Sequence, residues 1–306
     1  MTPGSLRIAT RGSALALWQA NHVKRSLEAA SPGMTVEIVV IKTSGDRIQD
    51  RALLEVGGKG LFVKEIQAAL VEKSVDLAVH SLKDYPAENP EELVLASVPE
   101  RQDPRDALVL PLGMTEKELP ASPAIGTGSL RRKHQARIAH PQWRVMGLRG
   151  NVGTRLTKVD SGELDAVILA AAGLNRLGHA SRITRLFSVD EMVPAVGQGA
   201  LAIEARGDSG GLLELLGAMQ DPKARLEVDA ERRFLKGLHG SCTTPLGIHA
   251  ALSDDRVDLR AFLSTAEGDR FITERAVGPA ADVERLVDGL LETFWKRGAK
   301  EILGRV

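Results

Sequence analysis

Two kinds of apolar periodicity alternate along the first part of the chain. Short runs rich in Val, Ile and Leu predict strands, and between them apolar residues recur every three to four positions, which is typical of amphipathic helices. Strands that alternate with helices in this way indicate βαβ units and a mostly parallel sheet. The predicted elements are a strand at Leu6–Thr10, a helix at Ala14–Ala29, a strand at Thr35–Thr43, a helix at Leu61–Lys73 and a strand at Asp76–Ser81.

A second series of the same kind follows the proline-containing break at Pro99–Pro104. It predicts a second α/β lobe of similar build. Its strands are expected at Asp106–Leu110, Ala124–Thr127, Arg144–Arg149 and Ala166–Ala170, and its helices at Ser129–His140 and Val152–Ser161.

The last third of the chain changes character. A helix is followed by three strand-like runs and a second, amphipathic helix, and this order favours a separate small α+β domain. The helices are expected at Pro222–Leu238 and Val283–Leu303, and the strands at Ile248–Leu252, Leu259–Ser264 and Phe271–Val277.

Composition agrees with a multidomain α/β protein. The chain has 306 residues, of which 43% are hydrophobic and only 3% aromatic, so we expect two or three domains with aliphatic cores. Forty Lys and Arg balance forty Asp and Glu, which argues against general attraction to nucleic acid or to an anionic membrane. A single cysteine, no signal-peptide pattern and no membrane-length apolar run predict a cytoplasmic protein without a membrane partner.

Two similar strings each run from a strand through a tight turn into a helix. They are Ile8–Ser13 and Ile125–Ser129. Ser13 and Ser129 can cap the helices, and the free N–H groups at these helix starts favour an anion. The alternative is that both are ordinary capped helix starts.

The strand at Asp76–Ser81 ends abruptly in polar residues. Ser81, Lys83 and Asp84 provide a hydroxyl, a cation and a carboxylate at the kind of strand end where α/β folds place their chemistry. Asp84 could transfer a proton or stabilise a developing cation. The alternative is a polar turn that ends at Pro86.

Arginines concentrate near the predicted strand-to-helix junctions of the second lobe. A guanidinium group pairs with a carboxylate through two parallel hydrogen bonds, so this concentration favours a cleft for small anions. The alternative for Arg131 and Arg132 is a solvated helix face or a nucleic-acid patch. The arginines concerned are Arg131, Arg132, Arg149, Arg155 and Arg176.

Three other motifs carry weaker signals. Gly57–Gly60, which includes Lys59, lacks the spacing of a nucleotide-binding phosphate loop, although the segment Thr43–Gly60 would suit a mobile lid. Ser209 lies in a string that resembles the nucleophile sequence of chymotrypsin-like proteases, but here it is expected to cap a helix. The seven histidines show no metal-binding spacing, so each is taken as a surface or packed residue and no metal site is expected.

The only cysteine, Cys242, lies in a glycine-containing turn between a helix and a strand. This placement favours an accessible thiol. A buried, inert thiol is the alternative that local sequence leaves open.

Together these segments resemble the porphobilinogen deaminase family, also called hydroxymethylbilane synthases, over essentially the whole chain. The matching strings, in chain order, are Ala9–Ala16, Val56–Phe62, Val79–Asp84, Gly126–Arg132, Leu148–Arg155, Ala195–Ala200 and Gly240–Cys242. Their number and order make a chance similarity implausible.

The resemblance implies a transferase that condenses four porphobilinogen molecules head to tail, releases ammonia and yields linear hydroxymethylbilane for haem biosynthesis. It implies a dipyrromethane cofactor on a Cys242 thioether, with Asp84 as the catalytic acid/base and Lys59 on a lid loop. Its cofactor-binding residues would be Ser81, Lys83, Thr127, Ser129, Arg131, Arg132, Arg155 and Gln198. Its substrate-binding residues would be Arg11, Ser13, Arg149 and Arg176, which would meet porphobilinogen and oligopyrrole intermediates.

The implied fold has two lobes resembling bilobal periplasmic binding proteins, with mixed, mostly parallel sheets, and a small C-terminal α+β domain that carries the cysteine. The first lobe would be discontinuous, and a monomer is expected. The implied boundaries are residues 1–98 with 200–219, residues 104–195, and residues 222–306.

Two positions depart from the family pattern. Glu55 stands where many members have lysine, and Tyr85 stands where an aliphatic residue is common. A non-catalytic carboxylate-binding protein is the alternative from another functional class, because such a protein would need neither Cys242 nor Asp84 for affinity.

Overall fold

A computed structural model describes residues 4–47, 62–240 and 244–304. It divides the chain into two compact units, one comprising residues 1–102 and 200–226 and the other residues 103–199 and 227–306. The second unit therefore contains both the predicted second lobe and most of the predicted C-terminal domain. The three-domain division stays a prediction.

The first unit is built on a five-stranded mixed sheet in the order β2-β1-β3-β10-β4. β1 is parallel to β2 and β3, whereas β10 is antiparallel to both of its neighbours. The strands are β1 at Ser5–Thr10, β2 at Thr35–Val40, β3 at Leu77–Ser81, β4 at Leu93–Ser97 and β10 at Leu201–Arg206. The helices are α1 at Ala14–Ala30, α2 at Ser44–Arg47, α3 at Lys64–Val71 and α7 at Gly210–Gly217.

Alternate side chains of this sheet enter two different cores. Leu6 and Ile8 of β1 pack into one hydrophobic cluster, and Ala9 packs into another on the opposite face. Successive side chains of a strand point to opposite faces, so the continuous apolar runs of β1 and β3 fit strands that are covered on both sides.

The second unit contains another five-stranded mixed sheet, in the order β7-β6-β8-β5-β9. β6 is parallel to β7 and β8, and β5 is antiparallel to β8 and β9. The strands are β5 at Asp106–Val109, β6 at Ala124–Thr127, β7 at Arg144–Gly147, β8 at Ala166–Ala170 and β9 at Arg185–Leu186. The helices are α4 at Leu130–Ala139, α5 at Val152–Asp160 and α6 at Ala171–Arg176.

A three-stranded antiparallel sheet, β11-β12-β13, completes the second unit. α4 reaches this sheet through His134, whose Nδ1 lies 2.7 Å from the Ser264 hydroxyl. Pro222–Gly237 forms α8, which spans the division between the units. The strands are β11 at Leu246–Ser253, β12 at Arg256–Ser264 and β13 at Phe271–Pro279, and the last helices are α9 at Val283–Lys296 and α10 at Ala299–Ile302.

The predicted fold class, α/β lobes with a small α+β region, is confirmed by these sheets. The expected single helix at Val283–Leu303 is wrong, because the chain breaks at Gly298, whose φ of 92° is left-handed. Such a conformation costs a residue with a Cβ atom, and glycine adopts it readily. β4 and β9 were not predicted: β9 has only two residues, and the apolar run of β4 was overlooked.

The expectation that Ser209 caps a helix is also wrong in its side-chain detail. Ser209 precedes α7, but its hydroxyl makes no capping hydrogen bond and is buried without a partner. The first turn is held instead by its carbonyl, which accepts from Leu212 and Leu213 N–H at 2.9 and 3.0 Å.

Candidate active site

The parallel strands β1 and β3 end at the same edge of the first sheet, and a small cavity lies there. Its volume is about 70 Å³. Side chains that follow the two strands line it, because parallel neighbours bring their carboxyl ends together. The lining includes the predicted site residues Arg11, Ser13, Ser81 and Asp84.

The Asp84 carboxylate is available in this cavity. The residue closes a single 3₁₀ turn, Leu82–Asp84, directly after β3 and is half-buried. Its side chain has no hydrogen bond or ion pair with any described residue. Lys83, on the same turn, is also half-buried. A carboxylate left uncommitted at a cavity wall can accept ligand N–H groups or exchange a proton with them.

Arg11 is held in place by an acidic partner that sequence analysis did not identify. Its Nη2 and Nε lie 2.5 and 3.1 Å from Asp46 Oδ1, and its guanidinium covers the Phe62 ring at 4.1 Å. Burial opposes ionisation of Asp46, but hydrogen bonds from Arg11 and Thr43 outweigh it and hold the pKa of Asp46 below its ordinary value. Arg11 Nη1 makes no hydrogen bond with a described residue, so it is available to a ligand.

The two hydroxyl residues of this cavity have structural partners. Ser13 accepts from Ala16 N–H at 3.3 Å, which confirms its predicted cap on α1. The Ser81 hydroxyl lies 2.8 Å from Gln19 Nε2. Sequence analysis missed Gln19, which is buried on α1 five residues after the start of the helix and carries no motif.

The second unit holds the other predicted residues around a buried carboxylate, Asp106. Arg131 Nη1, Arg132 Nε and Gln198 Nε2 lie 2.7, 2.8 and 2.8 Å from its oxygens. Burial opposes ionisation, but Arg131 and Arg132 outweigh it and lower the pKa of Asp106 to about 2. The arginine side chains are only 4% and 6% exposed, so the solvated-face alternative is wrong. Two guanidinium groups against one carboxylate leave one net positive charge.

The turn before α4 places Thr127 and Ser129 beside this cluster. Ser129 accepts from Arg132 N–H at 3.5 Å, which confirms its predicted cap, and Thr127 Oγ1 accepts from Ser129 N–H at 3.3 Å. Gly128 lies between them, and a Cβ atom there would stand 2.6 Å from the Leu148 carbonyl oxygen. Glycine is therefore required for the close approach of this turn to Leu148.

Three more arginines of the second unit differ in their environments. Burial is the main cause that lowers the pKa of Arg155 to about 10, with the charges of Arg132 and Arg149 adding to it. Burial also lowers the pKa of Arg176 to about 10, and its Nη2 donates to the Gly199 carbonyl at 2.7 Å. Arg155 and Arg149 have no carboxylate partner among the described residues. Arg155 and Arg176 remain charged at neutral pH, and an anionic ligand would offset the cost of burying Arg155.

Each unit thus brings its own predicted residues together. Cys242 and Lys59 lie outside the described residues, as does Glu55. Sequence analysis missed Asp46, Asp106 and His80; the last also lines the cavity with Asp84. A charged residue at the start of the apolar run Asp106–Leu110 was the one available signal for Asp106. Within the described part of the chain, no group of three His, Cys, Asp or Glu side chains is arranged to hold a metal ion.

Comparison with known proteins identifies the family. The description "Porphobilinogen deaminase, dipyromethane cofactor binding domain" matches residues 6–214, and "Porphobilinogen deaminase, C-terminal domain" matches residues 225–296. The chain belongs to the porphobilinogen deaminase family. As a member it is an enzyme with a dipyrromethane cofactor, and its reaction is the head-to-tail condensation of porphobilinogen to hydroxymethylbilane.

Curated porphobilinogen deaminases match along nearly the whole chain. The protein of Thiobacillus denitrificans is 46% identical over 299 residues, which cover 98% of each chain. That of Syntrophotalea carbinolica is 46% identical over 303 residues, which cover 99% of this chain and 96% of the relative. Among solved structures, the methionine-binding protein MetQ is 11% identical with a TM-score of 0.46, covering 73% of this chain and 93% of its own. The described residues include no helix that is both long and apolar enough to cross a bilayer.

Proposed function

We propose that this enzyme uses Asp84 as its acid/base group, Cys242 as the thioether anchor of dipyrromethane, and the arginines of its two units to bind carboxylates. The observation that carries the proposal is the uncommitted Asp84 carboxylate, which lines the same cavity as the guanidinium of Arg11. The substrate brings a basic nitrogen and two carboxylates, and this cavity offers a carboxylate for the nitrogen and a guanidinium for a carboxylate.

The donor set fits the cofactor. Each pyrrole unit carries an acetate and a propionate, and dipyrromethane, when bound, supplies the pyrrole to which substrate units are joined. Arg155 is a half-buried cation without a carboxylate partner among the described residues, as an anion-binding residue should be. The residues proposed to hold the cofactor are Ser81, Lys83, Thr127, Ser129, Arg131, Arg132, Arg155 and Gln198.

Arg131 and Arg132 act through positive potential in this proposal. Their guanidinium groups are engaged by Asp106, and Arg132 also donates to Gln198 Oε1 at 3.2 Å. The net positive charge of the cluster lies beside the Thr127–Ser129 turn, whose hydroxyls can donate to a carboxylate.

Asp84 has two tasks in the chemistry. Protonated at a carboxylate oxygen, it gives that proton to the amino group that leaves as ammonia. Ionised, it accepts hydrogen bonds from pyrrole N–H groups and stabilises the positive charge that spreads onto them. Arg11, Ser13, Arg149 and Arg176 bind the substrate carboxylates, and Lys59 belongs to a lid.

A cytoplasmic monomer is part of the same proposal. The lone thiol must be reduced before it can form a thioether, and the cytosol keeps cysteines reduced. Light scattering of the purified protein tests the monomer.

The role of Asp84 is tested by Asp84→Asn, which keeps the side-chain volume and removes the ionisable group. We expect kcat to fall by about two to four orders of magnitude, the usual contribution of a positioned acid/base, with the thermal midpoint of unfolding unchanged. Asp208→Asn, at a carboxylate that is 61% exposed, is the control and keeps full activity. Near-normal hydroxymethylbilane formation by the Asp84 variant would refute the assignment.

A further inference from the structure

His80 forms a buried acid–base pair next to Asp84. The ring lies on β3, four residues before Asp84, and both side chains line the same cavity. His80 Nε2 is 3.0 Å from Glu204 Oε2, and the two side chains are 4% and 0% exposed. β3 and β10 place them side by side, since Ala202 is opposite His80 and Glu204 is opposite Ala78.

The Glu204 carboxylate is held in one orientation by its hydrogen bonds with described residues. Gln67 Nε2 and Tyr85 OH donate to Oε1 at 2.7 and 3.1 Å, which leaves Oε2 to His80. Tyr85 is itself 4% exposed, and its hydroxyl accepts from Asn89 Nδ2 at 2.5 Å. Among the described residues, no lysine or arginine is paired with Glu204. Among those residues, His80 is therefore the one basic side chain that pairs with Glu204.

This arrangement fixes the tautomer of the imidazole. An ionised carboxylate only accepts hydrogen bonds, so His80 donates through Nε2–H and its remaining proton site is Nδ1. Nδ1 makes no hydrogen bond with a described residue, and it is not among the buried nitrogens that lack a partner. His80 thus lines the cavity with Nε2 held by Glu204 and with no described residue bonded to Nδ1.

The condensation needs two proton transfers at each addition. One carbon–nitrogen bond breaks and the departing ammonia takes up a proton, and one carbon–carbon bond forms as the attacked ring carbon loses a proton. The two transfers balance, but one group has to give a proton and another has to take one. Asp84 alone can serve only by exchanging protons between the two steps.

We propose that His80 is the second proton-holding group of the Asp84 cavity, and that Glu204, Gln67 and Tyr85 are positioning residues that hold its Nδ1 toward the reaction. In this division Asp84 gives the proton to ammonia and His80 Nδ1 takes the proton released from carbon. A proton then passes from the imidazolium back to Asp84 before the next addition, which restores both groups. Glu204 stabilises the imidazolium that results, as a buried carboxylate does for histidine in hydrolase triads. The inference rests on the proposed role of Asp84.

The test is the pH dependence of kcat in the holoenzyme. Other titratable or charged groups near His80 are Asp84 and Lys83 on the following turn, Arg11 in the cavity, and Tyr85 and Glu204. A neutral His80 is needed to take a proton, so its protonation should produce an acid limb in the pH profile of kcat. In His80→Gln we expect kcat to fall at least about tenfold and this acid limb to disappear, with KM unchanged.

The positioning residues should then shift this limb in opposite directions. Glu204→Gln removes the negative charge that stabilises the imidazolium, so the limb moves to lower pH, by about one unit. Tyr85→Phe removes a donor from Glu204 and leaves more charge facing His80, so the limb moves to higher pH by less. If Glu204→Gln does not fold, the Tyr85→Phe shift decides the question on its own.

The second unit supplies a matched control. His249 Nδ1 lies 3.4 Å from Glu231 Oε1 without forming a hydrogen bond, and these side chains are 9% and 0% exposed, so they form another buried histidine–glutamate contact, outside the cavity. We expect His249→Gln to leave the limb in place. Unshifted limbs in the Glu204 and Tyr85 variants, or shifts of the same sign, would overturn the proposal. Failure of the proposed function would give a different result. In that case the wild-type protein would carry no dipyrromethane or would form no hydroxymethylbilane.

Discussion

Individual side chains in this protein fall into those already paired and those left for a ligand. Arg11 has Asp46, and Arg131 and Arg132 have Asp106. Arg149 and Asp84, in contrast, have no ionic partner among the described residues. A charged side chain without an ionic partner contributes no ion pair to the fold, so substitution of Arg149 or Asp84 should affect chemistry more than stability.

Arg149→Leu tests whether an arginine without an ionic partner binds a substrate carboxylate. We expect the substitution to slow elongation or cofactor assembly by at least about tenfold, because a substrate carboxylate would lose a charge-assisted hydrogen bond. Mass spectrometry of enzyme–intermediate complexes should then show chains stalled below the full length. Arg144→Leu, at an exposed arginine that donates to the Ser122 carbonyl, is the control. Unaltered cofactor content and product rate in the Arg149 variant would count against its role.

At the scale of elements, Asp106 connects β5 to the start of α4. Its carboxylate receives hydrogen bonds from Arg131 and Arg132 while fully buried. Asp106→Asn would leave two buried guanidinium groups without a counter-charge, so we expect a loss of about 3–5 kcal/mol in the free energy of unfolding. Asp160→Asn, which breaks a pair with Arg182 at the surface, should cost at most about 1 kcal/mol. Equal denaturant midpoints for the two variants would contradict this reading.

Helices and strands were predictable from sequence where they depend on residues that are close together in the chain. The caps Ser13 and Ser129 follow from a hydroxyl placed before an amphipathic run, and the apolar runs of β1 and β3 gave their strands. The partners of Arg131 and His80 lie 25 and 124 residues away along the chain, and no local periodicity encodes such pairings. Gly298 was visible in the sequence, but only its left-handed φ shows that the last helix ends there.

At the scale of the whole molecule, the chain leaves the first unit after residue 102 and returns to it at residue 200. β10 then inserts antiparallel between β3 and β4, and it brings Glu204 beside His80. Hydrophobic pattern alone does not show which sheet this strand joins. The resemblance to the family supplied that expectation, and the sheet order agrees with it.

Acid stability is a property of the whole molecule that follows from its lowered carboxyl pKa values. Burial opposes the shift at Asp106, but its arginines prevail and set the pKa at about 2, below the ordinary value of an aspartate. A depressed pKa stabilises the fold above the unfolded pKa, and this contribution is lost as pH falls from about 4 to 2. We expect the thermal midpoint to fall steeply across that range in the wild type and less steeply in Asp106→Asn. Parallel curves would show that Asp106 does not control the loss.

The most direct test of the account is the intact mass of the purified protein. If the chain carries dipyrromethane on Cys242, the wild type will exceed its sequence mass by two linked pyrrole units, and the excess will be absent in Cys242→Ser. The serine variant should also form no hydroxymethylbilane. A wild-type chain at its unmodified mass that is inert toward porphobilinogen, or an excess that survives in Cys242→Ser, would contradict the central claim.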